Sequence, residues 1–125
     1  MAAAAHADRK FHRSRRLRQG RDFSRVKSQG QRLVKGSLIA NWTALAEGAP
    51  ARLGVITSRK MGGAVARNRA RRLLREAFRL HQGELCRGVD LVLVARPSIA
   101  GKSFADVERD YLSALRFAKL LKPAP

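Results

Sequence analysis

The spacing of hydrophobic and polar residues along the chain predicts its helices and strands. The clearest helical pattern lies between Gly63 and Gly83, where apolar residues recur on one side of a helix that advances about 100° per residue. These residues are Ala66, Ala70, Leu73, Leu74 and Ala77, with Phe78 and Leu80 at the margins. Because glycine interrupts helices, the pattern predicts an amphipathic helix that begins after Gly62-Gly63 and stops at Gly83.

Extended segments are expected on both sides of this helix. Residues 33–35 and 37–45 are rich in strand formers, residues 47–50 have turn composition, and residues 52–58 are the next predicted strand. The segments 37–45 and 52–58 are therefore expected to pair as an antiparallel hairpin. The continuous apolar run at 89–95 predicts a strand at a central position, buried on both faces.

Two further helices complete the predicted order. A short helix is expected at 22–28, with Phe23 and Val26 on one side and Gly30 at its end. The other helix starts at a capping box formed by Ser103 and Asp106. Its apolar stripe contains Phe104, Val107, Tyr111, Ala114, Leu115 and Ala118. The sequence shows no repeat, so a single small α+β domain of helices packed on one sheet is predicted.

The charge balance indicates what such a domain binds. Among its 125 residues are 27 Lys plus Arg against 9 Asp plus Glu, which gives a net charge of +18. A hydrophobic content of 45% is sufficient for a folded core. A domain this basic repels itself unless counter-charge is supplied, and nucleic acid is the commonest source of that charge. Residues 1–16 are expected to form a flexible basic arm.

Several classes of protein are excluded at this level. The sequence has no run of about 20 apolar residues, so no segment is expected to span a bilayer. A membrane surface is the rival polyanion to nucleic acid, but no membrane partner is predicted. Its N-terminus lacks the apolar centre of a signal peptide, which predicts a cytoplasmic protein. Cys86 is the only cysteine, so neither an intramolecular disulfide nor a zinc site built on several cysteines can form.

The polar side of the central helix carries a row of arginines. Helical spacing gathers Asn68, Arg71, Arg72, Arg75 and Arg79 into what we call the arginine face. Like charges at i and i+4 slightly destabilise an isolated helix, and an ordinary solvated face mixes both signs. Guanidinium groups bind phosphate oxygens through two parallel hydrogen bonds. The arginine face is therefore predicted to bind a polyanion, and a merely solvated surface is the alternative.

The sequence contains no evident catalytic constellation. A self-sufficient nuclease needs converging carboxylates or a histidine-based acid–base pair. Asp106, Glu108 and Asp110 form one acidic cluster. On a helix, however, Glu108 points away from the other two, and Asp106 is already expected to cap the helix. We therefore predict no catalytic residue and no metal ligand in the protein alone, and keep a metal nuclease using this cluster as a rival hypothesis.

The string A-V-A-R-N-R-A-R-R-L-L-R-E-A-F-R at 64–79 resembles the signature of the bacterial ribonuclease P protein subunit, the small basic partner of a catalytic RNA. The order of F-S-R-V, L-G-V-I-T-S-R-K-M-G and D-L-V-L-V-A-R-P around it agrees, so the similarity runs from about Leu17 to Leu120. The resemblance implies an α-β-β-β-α-β-α order in a single domain at 17–121. It also implies a central mixed sheet of about four strands and a left-handed strand–helix–strand crossover, as in the second domain of small-subunit ribosomal protein five.

The same resemblance implies the function and its partners. The chain would be the protein subunit of the ribonuclease P endonuclease, which removes the 5′ leader of precursor tRNA. The catalytic RNA would supply the active site and its Mg²⁺, with no cofactor bound by the protein alone and no obligate protein partner. Contacts to that RNA near its catalytic centre are implied for Arg67, Asn68, Arg69, Arg71, Arg72, Arg75 and Arg79. Arg67 and Arg69 cannot both point the same way on a helix.

A second surface, a cleft between the first helix and the sheet, is implied for the single-stranded leader. The residues at the matching positions are Phe23, Lys27, Asn41, Arg59, Lys60 and Gly63. Lys27 and Asn41 stand where the family often has aromatic residues, and Gly63 stands where it often has asparagine. Trp42 cannot substitute for Asn41 because neighbours on a strand face opposite sides. We expect Trp42 to pack in the core, and leave open whether Phe23 is core or cleft.

A second rival remains from another class of protein. Charge and size fit a structural RNA-binding protein equally well, such as a ribosomal protein or an RNA chaperone. Only the context of Arg67-Asn68-Arg69 argues for ribonuclease P over this alternative.

Overall fold

Four strands and three α-helices follow one another in the order that the resemblance implied. In the computed structural model, which describes residues 15–17, 20–46 and 48–123, the helices are α1 (Gly20–Gln29), α2 (Ala64–His81) and α3 (Phe104–Phe117). The strands are β1 (Gln31–Lys35), β2 (Leu38–Ala44), β3 (Arg52–Ile56) and β4 (Val89–Ala95). Short 3₁₀ turns lie at Arg59–Met61, Gln82–Glu84 and Pro97–Ile99. Within the described ranges, no helix has the length and apolar character needed to cross a membrane.

The sheet has the strand order β1-β2-β4-β3. β4 is antiparallel to β2 and parallel to β3, so its predicted central position is confirmed. The predicted hairpin between 37–45 and 52–58 is wrong, because β4 lies between these two strands. The hairpin is formed instead by β1 and β2. A strand that is apolar on both faces is buried best between two neighbours, and β4 therefore separates two strands that are adjacent in sequence.

Alternating side chains divide the core between the two faces of the sheet. On one face, Leu91 and Leu93 of β4 pack against α2 and α3, together with Trp42 of β2. On the other face, Val92 packs against Val26 of α1. Helices therefore cover both faces, and Trp42 belongs to the core as expected.

α2 is the longest element, and its apolar stripe differs slightly from the predicted one. The buried residues of the helix are Ala70, Leu74, Ala77 and Phe78. Phe78, expected at the margin, is fully buried, while Ala66 is exposed. Ala66 is exposed because the first turn of the helix projects past the core, as the exposed Val65 also shows.

The predicted capping box starts α3. The Ser103 hydroxyl accepts a hydrogen bond from the Asp106 amide at 3.2 Å, and the Ser103 amide donates to the Asp106 carboxylate at 3.1 Å. Val107, Tyr111, Ala114 and Leu115 are buried on the predicted stripe. The capping bonds lower the pKa of Asp106.

The end of the predicted basic arm lies against the free edge of the sheet. Arg16 forms a parallel bridge with Leu53 of β3, and the Leu17 amide donates to the Leu53 carbonyl at 2.8 Å. Residues 1–14 lie outside the described residues, where the flexible arm stays a prediction.

Candidate RNA-binding surfaces

The arginine face is present on α2 as the helical spacing predicted. Asn68, Arg72 and Arg75 are exposed, and Arg71 and Arg79 are half-buried. Arg71 Nη1 donates to Thr57 Oγ1 at 2.8 Å, just after β3, and Arg71 also donates to the Asn68 side-chain oxygen. These bonds fix one guanidinium of the row against the sheet and leave the outer part of the face open to solvent.

The charges along this face differ in how far they are neutralised. Arg79 pairs with Glu76, donating from Nε to the carboxylate at 3.0 Å, and this bond raises the pKa of Arg79. Partial burial and the nearby charges of Arg16 and Arg71 lower the pKa of Arg75. Burial is the larger cause, and the like charges of the two neighbouring arginines add to it, so several positive charges lie close together around Arg75. The positive potential is therefore concentrated toward Arg75 rather than Arg79.

Arg69 points away from the arginine face, whereas Arg67 lies at the margin of this face, one turn before Arg71. Arg69 Nη2 donates to the Lys102 carbonyl at 2.6 Å, on the side of the helix where α3 begins. Arg67 lies half-buried in the first turn, where its amide donates to the Gly63 carbonyl at 3.1 Å. The structure thus separates the two arginines, as helix geometry required. The same turn has no acidic residue and no side-chain cap, so the positive end of the helix dipole is not offset there.

The second surface is the face of the sheet over which α1 lies. Val26 is fully buried against Val92, and Phe23, half-buried, sits over Gly54 of β3. A Cβ added at Gly54 would lie 2.5 Å from Phe23 Cε1, so only glycine admits this approach. Phe23 therefore acts partly as core. Lys27, one turn further along the same side of α1, is exposed.

Beyond this side of α1, an apolar row crosses all four strands. It consists of Val34, Ile39, Val94 and Ile56, which are aligned by the strand registers. Val34 is 41% exposed, and the other three are half-buried. The apolar row is thus the incompletely covered floor of the predicted cleft.

Cationic residues surround the apolar row. On one side of the row are Lys27, which is carried by α1, and Arg32, which is exposed on β1 near α1. Lys60, in the turn after β3, and Arg96, directly after β4, are exposed at the opposite end of the strands. An apolar floor between cations matches a nucleic-acid strand, whose bases are apolar on their faces and whose phosphates are charged.

The remaining residues predicted for the cleft differ in their position and exposure. Asn41 is only 2% exposed and lies between Arg32 and Val92 in the sheet, so it supports the floor. Arg59 belongs to the same 3₁₀ turn as Lys60. Gly63 is the residue before α2, exposed and with open space around it. The structure gathers Phe23, Lys27 and Lys60 around the cleft, and leaves Asn41 beneath its surface.

A recess of about 250 Å³ is lined by residues of both surfaces. Arg75 of the arginine face and Phe23 of α1 both line it, together with Arg16 and Gly54. A ligand on the arginine face and a ligand in the cleft would therefore be close neighbours.

A buried carboxylate that sequence reasoning did not single out holds α1 on the sheet. Asp90 of β4 is fully buried and accepts from Arg52 Nε at 2.8 Å, from Arg52 Nη2 at 2.7 Å and from Arg25 Nη2 at 2.7 Å. Burial alone would raise the pKa of Asp90, but the bonds from the two arginines outweigh it and lower that pKa. The signal in the sequence was an acid inside an otherwise apolar strand.

The acids of α3 have structural roles. Asp106 caps the helix, Asp110 accepts from the Ser37 amide and hydroxyl at 2.9 and 2.7 Å, and Glu108 contacts His81 Nε2 at 2.7 Å. No group of residues suited to hold a metal ion occurs in the described part of the chain. The three acids therefore do not converge on a metal site, and the rival hypothesis of a metal nuclease has no site to support it.

Together, the fold and these surfaces define a class: a small basic α+β domain with a cationic helix beside a cleft on one face of its sheet. The sequence model of the ribonuclease P family matches residues 11–119. The chain is 36% identical over 116 residues to the ribonuclease P protein component of Brevibacillus brevis, covering 92% of this chain and 91% of that one. It is 41% identical over 114 residues to the same component of Chloroflexus aurantiacus, covering 90% and 83%.

Solved structures agree with these relatives. The RNase P protein of Thermotoga maritima superposes with a TM-score of 0.73 at 30% identity, covering 82% of this chain and 96% of that one. A Staphylococcus aureus RNase P protein gives a TM-score of 0.78 at 25% identity, covering 86% and 98%. The chain belongs to the ribonuclease P protein family. The predicted family is thereby confirmed, and an unrelated structural RNA-binding protein is not favoured.

Proposed function

We propose that the chain acts as the protein component of ribonuclease P in the processing of tRNA 5′ ends, with a division of labour between its two surfaces. The arginine face would hold the catalytic RNA, and the cleft beside α1 would hold the 5′ leader of precursor tRNA. The observation that carries the proposal is the shared recess, which Arg75 and Phe23 line together. RNA bound at the first surface would thus lie next to a strand bound at the second.

The arginine face is suited to RNA backbone. Arg72 and Arg75 are exposed and have no hydrogen-bond or ion-pair partner among the described residues, so their donors are available to phosphate oxygens. Phosphate contacts of this kind fix position without reading sequence. A helix anchored by Ala70, Leu74, Ala77 and Phe78 holds the face rigidly against the core.

The cleft is suited to a leader of varied sequence. Its floor, the apolar row, offers aliphatic contact to any base, and Lys27, Lys60 and Arg96 offer charge to the phosphates. Phe23 is held over Gly54 by close contact, so base stacking would be limited to its exposed edge. We therefore expect the leader to be held with little preference for base identity.

The cleavage step is proposed to reside in the RNA partner. The carboxylates of α3 cap the helix, fix the β1–β2 turn and contact His81, which fits Mg²⁺ held by RNA rather than by this chain. The protein's own contribution would be to screen repulsion between two RNAs and to hold the leader. We place this work in the cytoplasm, in keeping with the family.

Reconstitution with a transcribed ribonuclease P RNA tests the proposal. Leader removal from precursor tRNA is followed against Mg²⁺ concentration, with and without protein. Because the protein would supply part of the screening charge, we expect half-maximal activity at a lower Mg²⁺ concentration when it is present. The same Mg²⁺ dependence in both reactions would contradict the screening role.

Salt dependence gives a second measure in the same system. If the protein covers about 6–10 phosphates, its affinity for the RNA should fall about 10³–10⁵-fold between 50 and 200 mM salt, by analogy with duplex DNA. An affinity that hardly changes over this range would point to non-ionic recognition.

A further inference from the structure

The buried carboxylate of Asp90 joins three elements at one end of the sheet. It lies on β4, Arg52 on β3 and Arg25 on α1. Arg25 Nη1 also approaches Thr43 Oγ1 of β2 at 3.5 Å, so one arginine from the helix reaches two strands. A charge with no exposed surface needs a partner, because removing it from water is costly.

Arg52 alone already meets this need. It binds both carboxylate oxygens, through Nε at 2.8 Å and Nη2 at 2.7 Å, which is the strong two-point geometry of an arginine–carboxylate pair. The bond from Arg25 at 2.7 Å is thus an addition to a pair that is already neutral. What Arg25 contributes beyond neutralisation is the location of α1, the element that carries it.

α1 has few other means of holding its place. It is 10 residues long, and Val26 is its one fully buried residue. Isolated helices of this length are unstable, so tertiary contacts decide where it lies. Phe23 supplies a second apolar contact, over Gly54, but two apolar contacts on neighbouring turns do not by themselves fix the rotation of the helix about its own axis.

The polar anchor and the cleft lie on opposite sides of α1. Helical spacing places Arg25 about 160° from Lys27, with Val26 between them facing the sheet. Asp90 and Arg52 lie at one end of the strands, and the apolar row lies at the other. A roll that loosened Arg25 would therefore change the height of Lys27 and Phe23 over the apolar row.

We infer that the Arg25–Asp90 ion pair is a positioning device, which fixes the roll of α1 and so sets the width of the cleft for a single RNA strand. The inference rests on the proposed function of the cleft. Arg25 is a positioning residue here, because it acts through Phe23 and Lys27 and does not itself line the apolar row.

A matched pair of variants tests it in the reconstituted holoenzyme. Arg25→Gln removes the anchor, and Arg21→Gln removes the same charge from an exposed position of the same helix. For each protein, affinity is measured for precursor tRNA with a leader and for mature tRNA without one, and the ratio of the two affinities is the readout. A loss of affinity that results only from the reduced positive charge affects both substrates equally and therefore cancels in the ratio.

The expected results separate the inference from the proposed function. The wild type and Arg21→Gln should prefer the substrate with the leader to the same degree. In Arg25→Gln this preference should be roughly tenfold lower, which corresponds to the loss of about one good contact. Equal ratios in Arg25→Gln and Arg21→Gln would overturn the positioning role. No leader preference in the wild type would instead reject the cleft as the leader site.

Folding is controlled independently. Arg25→Gln leaves Asp90 paired with Arg52, so thermal melting should show a cooperative transition. Arg25→Lys keeps the charge but makes a single point contact and cannot span Asp90 and Thr43 together, so we expect a loss of about threefold in the ratio. Should Arg25→Gln not fold, a wild-type ratio in Arg25→Lys would overturn the inference.

Discussion

Gly63 marks the start of α2 with a residue that contributes no side chain. Its backbone is extended, with φ −78° and ψ −176°, and no atom lies within 4 Å of a Cβ added there. An asparagine at this position could accept a hydrogen bond from the first turn of the helix, whose amides have no side-chain cap. We expect Gly63→Asn to raise the free energy of unfolding by a few tenths of a kcal/mol.

Denaturant unfolding of Gly63→Asn and Gly63→Ala checks this prediction. Alanine fills the same space but offers no acceptor, and should therefore be neutral or slightly destabilising. A stability gain of equal size in both variants would mean that backbone entropy, not capping, is responsible.

At individual positions, the sequence predicted orientation better than exposure. Alternation along a strand placed Trp42 and Asn41 on opposite faces, and Trp42 is in the core. The same rule could not show that Asn41 is buried too, because that depends on the coverage of the other face. Phe23 is likewise both core and cleft, since its close contact with Gly54 involves residues far apart in sequence.

At the level of elements, local patterns predicted the type of each segment but not its partner. The capping box of α3 and the apolar run of β4 are local features, and both predictions were confirmed. The pairing of β3 was predicted wrongly because residues 45–51 have the composition of a hairpin turn. A turn that joins neighbours in sequence does not reveal that a later strand, β4, will occupy the space between them.

The junction between α2 and α3 should respond to pH through His81. Burial would lower the pKa of His81, but contacts with Glu108 and Glu84 prevail and raise it above 6.5. Both ring nitrogens face carboxylates, so the charged imidazolium satisfies them best. Its stabilising effect is fully present below about pH 6.5 and is lost as pH rises through the raised pKa of the folded state.

We therefore expect wild type and His81→Gln to differ most in stability under mildly acidic conditions. Thermal melting from about pH 5.5 to 8.5 should show the advantage of the wild type shrinking as pH rises. Glutamine retains hydrogen bonding without titrating, so it isolates the charge. A constant difference across this range would contradict the ion pair between the two helices.

Across the whole molecule, positive charge is found on two surfaces, which we propose bind different RNAs. The net charge of +18 is evident from the sequence, as is the arginine face, because both follow from composition and helical period. The cleft is not evident from the sequence, since its floor is assembled from four strands, and the width that we infer for it depends on a carboxylate buried under α1. Only the resemblance pointed to that surface in advance.

The most direct test of the account is the affinity of the catalytic RNA for a protein with Arg72→Glu and Arg75→Glu. Both side chains are exposed, so the fold should persist, as a thermal melt would verify. The matched control, Arg87→Glu with Lys122→Glu, changes the net charge equally at exposed positions that belong to neither surface. Charge-assisted hydrogen bonds contribute about 1.5–3 kcal/mol each.

We predict that reversal on the arginine face weakens RNA binding by about a hundredfold or more and lowers the salt dependence by about one phosphate contact per arginine, while the control shows a much smaller loss. Equal losses in the two double variants, or unchanged binding by a folded Arg72→Glu/Arg75→Glu protein, would contradict the central claim that α2 holds the catalytic RNA.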